Sequence, residues 1–170
     1  MTLRNQKNKP RPVFVKHSPG AQTLAWGEIS VEESTALTTI AATSVFVQVE
    51  VFDTNGPSNN MTPSSTDSHI TIDIDGTYFI SCPITLESVG GAGATFEFDA
   101  FKNNGSVHLG NIHVDRSMSG GGSEAGSANM SGITPLNEGD TVEVWVKNET
   151  NTQDLIVEDI TLSVMRLGGQ

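Results

Sequence analysis

Residues Ile70 to Leu86 read ITIDIDGTYFISCPITL, and the alternation within this stretch decides the fold class. Ile70, Ile72 and Ile74 alternate with Thr71, Asp73 and Asp75, the period-two pattern of a strand with one buried and one wet face. After Asp75-Gly76 the alternation resumes, with Tyr78, Ile80, Cys82, Ile84 and Leu86 on one side and Thr77, Ser81, Thr85 and Glu87 on the other. Asp-Gly between two alternating runs predicts a tight turn, and hence a β-hairpin whose apolar face the rest of the core must cover.

Further alternating runs lie on both sides of this stretch. Upstream, SVFVQVEVF begins at Ser44 and puts Val45, Val47, Val49 and Val51 on one face of a predicted strand. Phe46 and Phe52 fall on its polar face and need cover from a loop, from the N-terminal arm or from another subunit. Asp53 to Ser68, rich in Asn, Pro, Ser and Thr, reads as a loop. Downstream, Phe96 and Phe98 share a face but Phe101 is out of phase, which predicts a bulge near Asp99-Ala100 or an outward Phe101. Asn103-Asn104-Gly105 is a turn, and a second change of phase falls at Gly110-Asn111. Ser117 to Gly132, SMSGGGSEAGSANMSG, has the composition of a long flexible loop leading into a weak strand. After the turn at Asn137-Glu138-Gly139-Asp140, Val142, Val144 and Val146 point inward and Trp145 outward. A last strand over Leu155 to Leu167 has Ile160, Leu162 and Val164 in phase. About eight to ten strands at hairpin spacing, with no helical stripe, make an all-β sandwich or barrel.

Composition agrees with this and narrows the function. The 170 residues, with 17 glycines, suit one domain over residues 23–170 behind an arm over residues 1–22. That arm contains Pro10, Pro12 and Pro19 and the five cations Arg4, Lys7, Lys9, Arg11 and Lys16. The other four cations, Lys102, Arg116, Lys147 and Arg166, face all 20 carboxylates, and the net charge is −11. Such a body repels nucleic acid, while the arm seeks a negative surface, a neighbouring copy of the same body included. No apolar run approaches the about 20 residues of a membrane span, and Met1 to Lys16 lacks the apolar segment of a signal peptide. The Asn60, Asn104, Asn129 and Asn148 sequons matter only in a secreted protein. Cys82 is the sole cysteine, so no internal disulfide forms, and its strand phase makes it a small core residue.

Chemical motifs are missing. His17, His69, His108 and His113 lack the spacing of a zinc site and read as loop or surface histidines. Asp73-Ile74-Asp75-Gly76 opens like a calcium loop without the further ligands, so both acids read as turn acids, with calcium held between loops or between subunits as the alternative. There is no G-x-S-x-G elbow, phosphate-binding loop or H-E-x-x-H. The expectation is a protein that is not an enzyme and needs no cofactor. Trp26 and Trp145 are the contact candidates, as interface anchors, as sugar-stacking platforms or lying beneath the arm.

Three stretches carry a resemblance. Gly76-Thr77-Tyr78-Phe79-Ile80, Lys102-Asn103-Asn104-Gly105, and Leu136-Asn137-Glu138-Gly139-Asp140-Thr141-Val142-Glu143-Val144 resemble, in order and spacing, the G-x-Y-x-F, K-N-G and L-x-x-G-D-x-V-x-V landmarks of the C1q/TNF-like jelly roll. They span Gly76 to Val146. The ending Arg166-Leu167-Gly168-Gly169 and the run Thr38-Thr39-Ile40-Ala41 look more like the C1q-like domains of bacteriophage virion proteins than the animal ones. Ile80 stands where the family usually has Phe, one Asn is added in the K-N-G turn, and no collagen or coiled-coil stalk precedes the body, so a long fibre tip does not fit.

The resemblance implies a two-sheet antiparallel jelly roll that assembles as a homotrimer around apolar side chains and binds rather than catalyses. Phe46, Phe52, Phe79, Phe101 and Trp145 become candidate subunit or partner contacts. The functional expectation is a virion structural protein, a trimeric capsid decoration or cement protein or a short fibre-like protein. Its arm, through Arg4, Lys7, Lys9, Arg11 and Lys16, anchors it to a capsid or tail partner. The first alternative is a host-surface receptor- or glycan-binding module using Asp53 to Ser68 and Ser117 to Gly132. The second is a small coat protein whose arm binds nucleic acid, and the acidic body opposes it.

Overall fold

The computed structural model describes residues 23–122 and 124–169, so the arm with its five cations and His17 lies outside the described residues. The strands are β1 Trp26–Val31, β2 Leu37–Thr38, β3 Val47–Gln48, β4 Thr54–Asn55, β5 Met61–Ser64, β6 His69–Ile72, β7 Gly76–Val89, β8 Ala94–Lys102, β9 Val107–Met118, β10 Glu124–Leu136, β11 Thr141–Asn148 and β12 Asp154–Gly168. They form two antiparallel sheets. The first, sheet A, runs β10-β7-β12-β1-β4 with β2 paired to β12; the second, sheet B, runs β5-β6-β11-β8-β9 with β3 paired to β11.

The inner faces are those that the alternation predicts. Tyr78, Ile80, Cys82, Ile84 and Leu86 from β7 and Ile160, Leu162 and Val164 from β12 meet Phe96 and Phe98 from β8 and Val142, Val144 and Val146 from β11, all buried. Interdigitation of two such faces is what holds a sandwich closed. Phe101 is out of phase because it faces outward and not because β8 bulges, since the register of β8 with β11 is unbroken from Phe96 to Lys102. The irregularity lies in β9, at the expected change of phase near Gly110-Asn111, where pairing passes from Asp99 opposite His113 to Phe101 opposite His108.

Four expectations fail, each for a tertiary reason. Ile70 to Leu86 is not a hairpin: β6 pairs with β5 and β11, whereas β7 pairs with β10 and β12. Asp73 to Asp75 is a corner that carries the chain from one sheet to the other. Period two reports which face is apolar, and two buried strands on opposite sheets show it as well as two on one sheet. Ser117 to Gly132 is mostly strand, with β9 ending at Met118 and β10 starting at Glu124 and pairing with β7 throughout. Small residues are accommodated there because the side chains of β9 lie against them; a Cβ on Gly126 would sit 2.7 Å from Arg116 Nε and one on Gly132 2.6 Å from Ile112 Cγ1. Asp53 to Ser68 contains β4 and β5, and Pro63 is tolerated because β5 is an edge strand. Finally, the Val45 to Phe52 run is strand only at β3, with Val45 exposed and Phe52 in the core.

Candidate interaction surfaces

The sequence landmarks turn out to hold one another. Lys102 Nζ lies 2.9 Å from Asp140 Oδ2, and Asn103 Nδ2 donates to Asp140 Oδ1 at 2.8 Å. The Asn104 and Gly105 amides donate to the two oxygens of the buried Glu143, each at 2.9 Å. Thr141 Oγ1 and Trp145 Nε1 donate to the same carboxylate. Thus the K-N-N-G turn and the N-E-G-D-T-V-E stretch are two halves of one hydrogen-bonded unit. Asp140 shows the balance: burial alone would raise its pKa, but the Asn137 N–H, the Asn103 amide and the Lys102 ammonium outweigh it and hold the carboxyl below the ordinary value.

The third landmark is mated to the chain's end. Arg166 donates through Nε and Nη2 to Asp75 O at 3.0 and 2.9 Å, and through Nη1 to Thr23 O at 2.9 Å. A Cβ on Gly76 would come within 2.5 Å of Arg166 Nε and 2.7 Å of Gly168 O, which explains the glycine there. Tyr78 OH donates to Ile74 O. Asp75 Oδ1 accepts from Glu138 N at 2.6 Å and Asp73 Oδ2 from Thr62 Oγ1 at 3.3 Å, so both acids serve the corner as hydrogen-bond acceptors.

Two outer faces remain as candidate contacts. On sheet A, β1, β12, β7 and β10 place Trp26 opposite Met165, Met165 opposite Phe79 and Phe79 opposite Ile133. These four side chains form one row across the sheet and are 39%, 55%, 36% and 55% exposed. Exposed Leu24 and Leu167 flank it. The next row inward is polar and small: Ser131, Ser81 and Ser163 in register, then Glu28, to which Ser163 Oγ donates at 2.8 Å. The apolar row therefore sits at one pole, beside Thr23, where the chain enters from the arm.

On sheet B the outer face carries aromatic side chains. Phe101 packs edge-on against Phe46 at 5.0 Å between ring centroids, stacks on His108 at 4.8 Å and tilts against Trp145 at 5.5 Å. Trp145 lies under the chain's own turn, since a Cβ on Gly105 would fall 2.6 Å from its Cζ2. Glu97, Asp115 and Glu149 cluster beside it, but Lys147 Nζ sits among them, 2.8 Å from Glu97 and 3.2 Å from Glu149. Burial works against this ammonium, yet the two carboxylates hold its pKa above the ordinary lysine value. A cation is thus already supplied by the chain itself.

Of the five aromatic candidates, Phe79 lies in the apolar row, Phe46, Phe101 and Trp145 form the sheet B cluster, and Phe52 belongs to the core. The sequence pattern does not single out Ile133 and Met165, because Ile133 lies in the weak strand that follows the loop-like Ser117 to Gly132 and the register between β7 and β12 is not a local pattern. Cys82 is buried and burial pushes its thiol pKa far up, which suits an inert core residue.

No family model matches this sequence, and no curated protein is detectably related to it. Solved structures do match. A TNF protein, Eiger from S. frugiperda, superposes with a TM-score of 0.62 at 13% identity over 86% of this chain and 94% of that one. The fold is a C1q/TNF-like jelly roll. Murine APRIL at pH 5.0 matches this jelly roll at 0.59 and 12% identity over 85% of this chain and 100% of that one. The globular domain of zebrafish complement 1qA matches at 0.54 and 10% over 86% and 99%. At such identities the likeness of the jelly roll is one of fold alone, and the order of landmarks in the sequence is the part of it written in residues.

Proposed function

We propose that this chain is a non-catalytic virion structural protein, a homotrimeric decoration or cement protein. Its copies meet through the outer face of sheet A, and its basic arm ties the assembly to an acidic surface on a capsid or tail. The observation that carries the self-association is the exposed row Trp26, Met165, Phe79 and Ile133. An apolar strip continuous across four strands is costly to leave in water. A C1q/TNF-like jelly roll gives it a natural partner in a second and third copy. The arm supports the anchoring half of the reading, because Arg4, Lys7, Lys9, Arg11 and Lys16 have no acid among them and the body that follows is strongly acidic.

The test is removal of residues 1–20. The shortened chain is expected to sediment as a folded trimer and to lose binding to particles stripped of this protein. Undiminished particle binding rejects anchoring by the arm, and a monomeric mass with and without the arm rejects the trimer. A second reading, a host-surface glycan module, draws on one polar cleft of about 490 Å³ lined by Glu50, Asp67, His69 and Asn104. Specific retention on a glycan array would favour it over the first.

A further inference from the structure

The sequence holds Asn-Gly twice, at Asn55-Gly56 and Asn104-Gly105. Asn-Gly is the dipeptide most open to deamidation, because glycine has no side chain to shield its nitrogen from the side chain before it. At residue 105 the fold leaves no other choice: Gly105 has φ of +71°, and a Cβ there would fall 2.6 Å from Trp145 Cζ2. Asn104, with φ of +55°, is exposed and lines the polar cleft beside Glu50, Asp67 and His69. A labile pair is thus built into the turn that carries one of the sequence landmarks.

Deamidation requires one particular movement. The Gly105 nitrogen gives up its proton to water and bonds to Asn104 Cγ, the Cγ–Nδ2 bond breaks, and the amide nitrogen takes a proton and leaves as ammonia. Water then opens the succinimide, at one carbonyl to aspartate and at the other to isoaspartate, whose main chain runs through the former side chain. In the folded turn the attacking nitrogen is held elsewhere. Gly105 N–H donates to Glu143 Oε2 and Asn104 N–H to Oε1, each at 2.9 Å. Glu143 has no exposed surface and accepts from Thr141 Oγ1 and Trp145 Nε1 as well. The residue before the pair is also fixed, since Asn103 N donates to Thr141 O at 3.2 Å and Asn103 Nδ2 to Asp140 Oδ1 at 2.8 Å. The Gly105 nitrogen therefore turns toward Asn104 Cγ only by giving up its bond to the carboxylate and lifting the turn off Trp145.

We propose that Asn104 is a latent deamidation site that Glu143 holds shut. While the turn is docked, Asn104 keeps its amide; once the turn opens, the pair reacts as it does in an unfolded chain. Isoaspartate lengthens the main chain within the turn, so the two N–H groups no longer reach the two oxygens of Glu143 together. Each opening that reacts is thereby recorded covalently, and the K-N-N-G turn does not close again on its partner landmark. Glu143 acts here as a positioning residue. The other pair supplies an internal reference: in sheet A, Gly56 N–H donates to Glu28 O at 2.9 Å and Asn55 Oδ1 accepts from Ser65 N at 2.6 Å.

The test follows both sites by peptide mass spectrometry in the intact chain, incubated at mildly alkaline pH either folded or in guanidinium chloride. Folded wild type should react at Asn104 about ten- to a hundredfold more slowly than the unfolded chain, the factor set by one hydrogen bond to a charged acceptor. In Glu143→Gln the Asn104 rate should rise toward the unfolded value while Asn55 keeps its wild-type rate. A folded wild type that reacts at Asn104 as fast as the unfolded chain overturns the proposal. So does a folded Glu143→Gln chain in which Asn104 stays slow, or in which both sites accelerate alike. Should circular dichroism show Glu143→Gln to be unfolded, Thr141→Val decides: it removes one donor to the carboxylate from a half-buried position and should speed Asn104 alone. An unchanged Asn104 rate in that variant then overturns the proposal.

Discussion

Phe79→Ser is the sharpest test of the apolar row. Phe79 keeps 36% of its surface exposed, which for an aromatic side chain of about 200 Å² leaves about 70 Å² to be buried by a neighbouring copy. At about 25 cal/mol per Å² this is worth about 1.8 kcal/mol per copy, an upper figure, and about 5 kcal/mol over three copies. A factor of ten in equilibrium constant corresponds to about 1.4 kcal/mol, so the trimer association constant should fall between about a thousandfold and ten-thousandfold. Sedimentation across a concentration series reads this directly. The fold should persist, because Phe79 points away from the core and contributes little to it. Val45→Ser, which removes another exposed apolar side chain but outside the row, serves as the control. A Phe79→Ser chain with the wild-type mass at low micromolar concentration, or an equal loss in Val45→Ser, would refute the assignment of this face.

Three further outcomes follow from the geometry. Gly105→Ala should destabilise the domain by about 2–4 kcal/mol in urea, because Gly105 has φ of +71° and the new Cβ would press on Trp145. Asp140→Ala should cost about 2–4 kcal/mol at neutral pH by stranding Lys102, Asn103 and the Asn137 amide. The folded-state pKa of Asp140 is depressed, so its stabilisation is fully present above the ordinary carboxylate value of about 3.9. It fades as pH falls through the folded value, so the gap between variant and wild type should close in acid melts. Cys82 should react with a thiol reagent only as fast as the domain unfolds, since it is fully buried; rapid labelling of the native protein would contradict the fold.

The strand faces were legible from alternation in β7, β8, β11 and β12, the outward Phe101 from its phase relative to Phe96 and Phe98, and the irregularity of β9 from the change of phase at Gly110-Asn111. The apolar row was legible only at Phe79 and Trp26. Met165 and Ile133 join them through cross-strand register, and β10 was hidden because its glycines, serines and alanines have loop composition. Phe52 misled for the related reason that the irregular backbone around β3 breaks the phase that the alternation assumed. The burial of Asp99 was not legible either, because its cross-strand neighbours, Trp145 of β11 and His113 of β9, meet it only in the folded chain.

By itself, the sequence determined the all-β class, the inward residues of the long strands and, through three ordered landmarks, the C1q/TNF-like fold. These depend on each residue's neighbours two positions away or on turn conformations within a few residues. The tertiary structure alone decided that β6 and β7 belong to opposite sheets, that the landmark turns are held by Asp140, Glu143 and Arg166, and that one outer face carries an apolar row and the other an aromatic cluster. Those outcomes rest on pairings between strands far apart along the chain. Local alternation sets which side of a strand is dry, but the partner that dries it is chosen by the packing of the two sheets as a whole.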